Sequence, residues 1–331
     1  MTTSPLTATP ALFALDPQAR LVLNLGRQAG APPFEAATPE QARRAYEEGL
    51  PNLQGEREPV GSINERTIAG PRGPLTLRTY RGQGAPDAGA PALLYLHGGG
   101  WVIGNLESHD EICRWFANIA ACVVVAPDYR LAPEHKFPAA VKDCRAVLSF
   151  VQDHAADLGI DAKRIAVAGD SAGGNLATVL SLLARDDHIP LAAQLLFYPN
   201  TDAAQTADSY RRFAEGFGLT ATTMAWFRDH YIRDAADIGD WRASPLKAES
   251  LAGVAPAFIA IAGHDILADE GEAYLGRLQD DGVRVVLKHW PGQIHGFVSI
   301  GRHGPASRQA VEAAVAAWRK FDRAFAKDQA D

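Results

Sequence analysis

Six short apolar runs, at 92–96, 122–126, 165–168, 194–198, 257–262 and 283–287, are separated by stretches of helical character at 109–120, 137–156, 172–186 and 270–281, with a last one at 306–326. Each run is apolar almost throughout instead of alternating, the pattern of strands covered on both faces. Strands that alternate with helices build right-handed βαβ units and a mostly parallel sheet flanked by helices. Ahead of this series, Ile63, Thr67 and Ile68 precede a Gly70-Pro71-Arg72-Gly73 turn, and Leu75, Leu77, Thr79 and Tyr80 follow it, which predicts a β-hairpin.

Two segments stand outside the rhythm. Residues 1–50 predict two short helices, one around Leu21, Val22, Leu23 and Leu25 and one over 41–48, parted by Gly30 and Pro32-Pro33. Nearly sixty residues lie between Tyr198 and Ala257, with Tyr210, Phe213, Phe217, Met224, Trp226, Phe227, Tyr231 and Trp241 among them. A structureless loop of that size does not suit a compact domain, so a helical insertion is expected. Together the two segments can cover the carboxyl ends of the strands, where open α/β sheets keep their sites. The expected division is N-terminal cap helices over 1–50, an α/β catalytic part over 51–199, a cap insertion over 200–245 and the rest of the catalytic domain over 246–331.

The sequence Gly169-Asp170-Ser171-Ala172-Gly173-Gly174 sits between the run at 165–168 and a helical stretch. That is the strand–turn–helix setting of a G-x-S-x-G nucleophile elbow, in which glycines on either side let neighbouring backbone pass a serine on a strained turn. His97-Gly98-Gly99-Gly100-Trp101 follows the run at 92–96 and offers backbone amides which, with that of Ala172, can form an oxyanion hole. The competing dinucleotide pattern G-x-G-x-x-G needs glycine at 103, where the chain has Ile103. An orienting acid and a base should follow Ser171 in that order. Asp265, just past the run at 257–262, is the first choice for the acid, with Asp269 and Glu270 behind it as helix first-turn acids. His295, in Pro291-Gly292-Gln293-Ile294-His295-Gly296-Phe297, is the first choice for the base, and His289 is the runner-up.

Charge and cysteine content bound the rest. A net charge of −7 on 331 residues argues against partners held by bulk positive charge, such as nucleic acid or an anionic membrane surface. Cys113, Cys122 and Cys144 are an odd number without paired spacing and read as small buried apolar residues. The first twenty residues lack a basic region followed by an apolar core, and no stretch reaches the roughly 18 apolar residues of a membrane span. No signal peptide, no stable membrane insertion and a cytoplasmic location are therefore expected. Val311, Val315, Trp318, Phe321 and Phe325 recur at helical spacing and read as core-facing, with room on the same stretch for a homodimer surface.

The chain resembles the hormone-sensitive-lipase family of α/β-hydrolases, its bacterial esterase branch with Asp before the serine. The resemblance rests on His97 through Gly100, Tyr129-Arg130-Leu131-Ala132-Pro133-Glu134, Gly169 through Gly174, Tyr198-Pro199 with Asp202, Asp265 through Glu270, and His295-Gly296-Phe297, all in the family's order. It implies an α/β-hydrolase fold with a helical cap, Ser171 as nucleophile, Asp265 as acid, His295 as base, and an oxyanion hole from the amides of Gly98, Gly99 and Ala172. It further implies hydrolysis of short- to medium-chain acyl esters, a small-molecule substrate, without a cofactor or metal. Trp101, Ile103, Asp170, Phe213 and Phe217, with Met224 and Trp226, are expected to line the substrate pocket. Amide, lactone or acyl-transfer chemistry on the same residues, or a non-catalytic receptor, are the alternatives.

Overall fold

A computed structural model describes residues 14–30 and 32–328, the last six as backbone alone. Within these residues eight strands form one sheet: β1 (Ser62–Gly70), β2 (Gly73–Arg81), β3 (Ala90–Leu96), β4 (Val123–Pro127), β5 (Ile160–Asp170), β6 (Ala193–Phe197), β7 (Ala257–His264) and β8 (Val285–Ile294). Their order is β1-β2-β4-β3-β5-β6-β7-β8; β2 runs antiparallel to both neighbours and every other pair is parallel.

The period of two along each strand divides the core. Leu94 and Leu96 of β3 face one layer, with α4 (Ala139–Asp153), α5 (Ala172–Asp186) and α9 (Ala268–Asp280). Leu93 and Tyr95 face the other, with α3 (Asp110–Ala120) and α10 (Ala306–Asp328). Val311, Val315, Trp318 and Phe321 of α10 are buried there, whereas the side chain of Phe325 lies outside the described residues. The three cysteines are buried and unpaired.

The edge strand β8 departs from the expected pattern. Its pairing continues past Leu287 to Ile294, and Leu287 is 41% exposed, so this strand is not covered on both faces. Pro291 fits because an edge strand has one side on which an N–H is not needed.

Two helices, α1 (Pro17–Ala29) and α2 (Pro39–Leu53), precede the sheet. The Asp16 carboxylate accepts from the Gln18 amide and Gly30 ends α1 in the left-handed region. Thr38 and Gln41 form a capping box around Pro39 at the start of α2. Between β6 and β7 lie the short helices α6 (Ser209–Arg212), α7 (Ala221–Tyr231) and α8 (Ala235–Gly239). The two segments touch: Phe34 packs 6.0 Å from Phe227, and the Thr223 hydroxyl donates to the Glu35 carboxylate at 2.8 Å.

Where the chain leaves α2 it crosses α3, and there Glu111 is 2% exposed. One of its oxygens accepts from the Gly55 amide at 2.9 Å and the other has no partner among the described residues. Burial, reinforced by Glu58 and Asp110, pushes this carboxyl up from 4.5 to about 7. An acid raised in the folded state contributes stability below its unfolded pKa that is lost as pH rises through its folded one. The loss here falls between about pH 4.5 and 7 and amounts to at most about 3 kcal/mol. Glu111→Gln is therefore expected to melt several degrees above the parent at pH 8 and level with it near pH 4.5. An offset that does not vary with pH in thermal melts would contradict this.

Candidate active site

The carboxyl ends of β3, β5, β7 and β8 deliver His97, Ser171, Asp265 and His295 to one edge of the sheet. Ser171 occupies the turn between β5 and α5 with φ 54° and ψ −118°, a left-handed conformation strained for a residue with a Cβ. The crossing is tight, since a Cβ on Gly173 would overlap the Leu96 carbonyl oxygen. The strain is held from both sides: the Ser171 amide donates to Phe197 O at 2.9 Å, and its carbonyl accepts from Asn175 and Asn200 at 3.0 and 3.2 Å.

His295 follows β8, three strands from β5, a span of about 14 Å at the usual spacing. The chain turns back at Gly296, φ +78°, and the imidazole packs 4.7 Å from the Tyr198 ring. Its Nδ1 lies 2.9 Å from Asp265 Oδ2 and its Nε2 lies 2.9 Å from Ser171 Oγ. Asp265 is 1% exposed, and its Oδ1 accepts from the Leu267 amide at 2.9 Å. A carboxylate only accepts, so the ring proton sits on Nδ1 and Nε2 is left to accept from the serine hydroxyl.

The alternative acids and base lie elsewhere. Glu270 Oε1 accepts from the Thr201 amide at 2.7 Å and Oε2 from the Tyr210 hydroxyl at 3.2 Å; burial pushes this carboxyl well above its ordinary range. It is thus not an exposed first-turn acid but a buried joint between α9 and the segment carrying α6. Asp269 pairs with Arg212 at 2.6 Å. His289 sits in the middle of β8, opposite Ile261.

The glycine loop corrects one expectation. The Gly98 amide donates to Asp170 Oδ1 at 3.0 Å, with His109 Nε2 beside both groups, 3.2 Å from the amide nitrogen and 3.1 Å from the carboxylate. It is committed to the protein. The Gly99 and Gly100 amides form no hydrogen bond among the described residues, and their directions are fixed through their own peptide planes. His97 Nδ1 donates to Gly98 O at 2.8 Å, so the Gly99 N–H points the opposite way in that trans peptide. Gly99 O accepts from Val102 and Ile103 at 3.1 and 2.9 Å, which aims the Gly100 N–H likewise. Side chains are excluded: a Cβ on Gly99 (φ +118°) would overlap Ile103 O, and one on Gly100 would overlap the Phe227 ring.

Asp170 is buried, and its carboxylate anchors the loop. Tyr95 also donates to its Oδ1 at 2.9 Å. Burial pushes the carboxyl up, but the facing His109 and the bonds from His109 and Tyr95 outweigh it and hold Asp170 below the ordinary carboxylate range. Burial, with His109 nearby, pushes His97 down to about 3, so it is a neutral donor stacked on Tyr129 at 4.2 Å.

The expected pocket aromatics are also largely packing groups. Trp101 lies flat against Tyr231 at 4.2 Å and 3°, and Ile103 is buried in the same core layer. Phe213 and Phe217 pack on one another and on His264, next to Asp265. Met224 is buried with Tyr210, Ile266 and Leu267, while Trp226 is half-buried against Phe227 and His230. His109 carries no sequence signal, and Tyr198 and Gly100 fall within motifs that the sequence analysis names without giving either a role in the site. Three glycines in a row leave the register of the free amides undecided until their partners are known.

Among the described residues no group of three or more His, Cys, Asp or Glu side chains is placed to hold a metal ion, and no helix is long and apolar enough to cross a membrane.

Comparison with known proteins identifies the fold. A family model described as the alpha/beta hydrolase fold matches residues 93–299. The carboxylic ester hydrolase LipN of Mycobacterium tuberculosis is 39% identical over 92% of this chain and 82% of its own. An ethyl acetate hydrolase of Pseudomonas putida is 39% identical over 87% of this chain and 93% of its own. Among solved structures, an ester hydrolase from the metagenome of Lake Arreo superposes with a TM-score of 0.89 at 38% identity, covering 94% of this chain and 99% of that one. With the family's fold across 93–299 and relatives of this likeness over most of its length, the chain belongs to the α/β-hydrolase fold family, in its hormone-sensitive-lipase branch.

Proposed function

We propose that this chain is a serine carboxylesterase acting on short- to medium-chain acyl esters, with Ser171 as nucleophile, His295 as base and Asp265 as the orienting acid. The observation that carries the reading is the unbroken line of two 2.9 Å hydrogen bonds from the serine hydroxyl through the imidazole to a buried carboxylate. His295 Nε2 takes the hydroxyl proton as Oγ attacks the ester carbonyl, and Asp265 stabilises the imidazolium. The amides of Gly99, Gly100 and Ala172 receive the oxyanion; the first two lack partners among the described residues, and the third opens α5, where an N–H has no intrahelical acceptor. The imidazolium returns its proton to the leaving alkoxide, and water then repeats the attack on the acyl-enzyme. Ester and water give acid and alcohol, so the balance closes without a redox partner.

The segment before the sheet and the insertion between β6 and β7 act together as a cap in this reading. An enclosed site favours acyl chains of about two to eight carbons over emulsified long-chain fat. The names of the relatives, a carboxylic ester hydrolase and an ethyl acetate hydrolase, support an ester substrate.

The test is a series of p-nitrophenyl esters from acetate to palmitate beside the anilide of one of the same acids. The expected result is turnover that falls beyond about eight carbons, with the anilide slower than its ester by orders of magnitude. An alkyl p-nitrophenyl phosphonate should release one nitrophenol per chain and leave its mass on the peptide bearing Ser171. An anilide cleaved as fast as the ester would move the reading to amide chemistry. Label on another residue would remove Ser171 as nucleophile.

A further inference from the structure

The loop 98–105 carries two of the three amides assigned to the oxyanion, and helix α2 grips it from outside. Arg43 Nε donates to Val102 O at 2.8 Å. Its Nη2 donates to Ala132 O at 2.8 Å, and Nη1 and Nη2 form a fork on Glu134 at 2.8 and 2.6 Å. One turn further along α2, Glu47 accepts from Asn105 Nδ2 at 2.8 Å. Asn105 in turn fixes the end of the loop, since its Oδ1 accepts from the Glu107 and Ser108 amides and its own amide donates to Ser108 Oγ.

These contacts lie on the path that sets the Gly100 amide. That N–H is aimed because Gly99 O on the same peptide is held by the Val102 and Ile103 amides. Val102 is itself held from the far side by Arg43 at its carbonyl, and Trp101 by the Ala132 amide at 2.8 Å. Arg43 therefore ties the loop, and the 129–134 segment beside it, to one rigid fork. The fork is preorganised: its hydrogen bonds hold the Glu134 carboxyl down at about 2, so the anchor stays charged through the neutral range.

We propose that Arg43 is a positioning residue for the oxyanion hole, so that α2 belongs to the catalytic apparatus and not only to a cover over it. This rests on the serine-esterase reading above. A fork that holds the turn at Val102 matters most when charge develops on the substrate oxygen, because the Gly100 amide is called on only then. A clamp that merely held the cap in place would instead alter substrate capture.

The experiment compares Arg43→Ala, Arg43→Lys and Arg44→Ala with the parent on p-nitrophenyl butyrate. Arg44 is exposed on the same helix and makes no ion pair among the described residues, so its replacement removes a cation from α2 without touching the loop. For Arg43→Ala the expected result is a fall in kcat of about tenfold to a hundredfold with KM within about twofold. Affinity for an alkyl trifluoromethyl ketone, which forms a tetrahedral adduct on the serine, should weaken by the same factor as kcat/KM. Added guanidinium should restore part of the lost rate. Arg43→Lys, which keeps the charge without the fork, should fall between, and it carries the test if the alanine variant does not fold. Arg44→Ala should match the parent. The proposal is overturned if the Arg43 variants keep the parent's kcat and ketone affinity, or if only KM rises. A Ser171→Ala control separates the two failures: if it is inactive while Arg43→Ala is normal, this inference alone falls, and if it is fully active the esterase reading falls first.

Discussion

Ser171→Ala should lower kcat for p-nitrophenyl butyrate by about a millionfold while leaving KM within a fewfold of the parent. The hydroxyl is the atom that forms the bond, and among the described residues no other hydroxyl shares the 2.9 Å contact with His295 Nε2. What persists should be the contribution of the oxyanion amides and of binding, about a thousandfold over the uncatalysed reaction. The variant should melt close to the parent, because alanine inherits the same φ of 54° and relieves none of the strain. Ser171→Gly should be equally inactive yet more stable, by about 1–3 kcal/mol, since glycine adopts that conformation without penalty. Steady-state kinetics and thermal melts on the two variants check both halves. An alanine variant within a hundredfold of the parent would remove Ser171 from the chemistry.

Ser171 and Asp265 are legible in the sequence because each follows closely on an apolar run, and a parallel sheet puts its strand ends on one edge. His295 lies eight residues past the run at 283–287 and is read from its Pro291–Phe297 loop setting; the structure carries β8 on to Ile294 and so puts it at a strand end. The oxyanion loop was legible as a glycine run but not in register. Whether Gly98 or Gly100 offers its amide depends on Asp170, 72 residues away in the chain. Asp170, next to the nucleophile, reads from sequence as a pocket residue. Its three hydrogen-bond partners come from β3, the glycine loop and the turn before α3, a convergence that no local pattern announces. Trp101 reads as a pocket wall until Tyr231 of the insertion is placed against it. Arg43 gave no signal, since its acceptors lie 59 and 89 residues further on. The missed features share one cause: they are set by contacts between segments far apart in the chain, whereas each feature found lies where a single strand ends.

Asp265→Asn should cost about ten-thousandfold in kcat with little change in KM, the size of effect seen when an orienting aspartate is amidated in a serine protease. The two oxygens of Asp265 have separate tasks. Oδ1 accepts from the Leu267 amide at 2.9 Å and Oδ2 faces His295 Nδ1 at 2.9 Å. An asparagine must keep its carbonyl oxygen toward the Leu267 N–H, because an NH2 group there would set two donors against each other in a buried site. The NH2 then faces His295, and Nδ1 must become the acceptor. The ring proton is driven to Nε2, which can no longer accept from Ser171. The loss is thus one of tautomer and not of position, and Asp265→Asn should fold as the parent does. Glu270 cannot take over, for its oxygens are held by the Thr201 amide and the Tyr210 hydroxyl and burial favours its neutral form. Glu270→Gln should accordingly leave kcat within a fewfold of the parent. If instead Asp265→Asn stayed near parental activity and Glu270→Gln lost several orders of magnitude, the acid would have to be reassigned to α9. The 2.9 Å contact between Asp265 and His295 would then be a packing contact without a catalytic role.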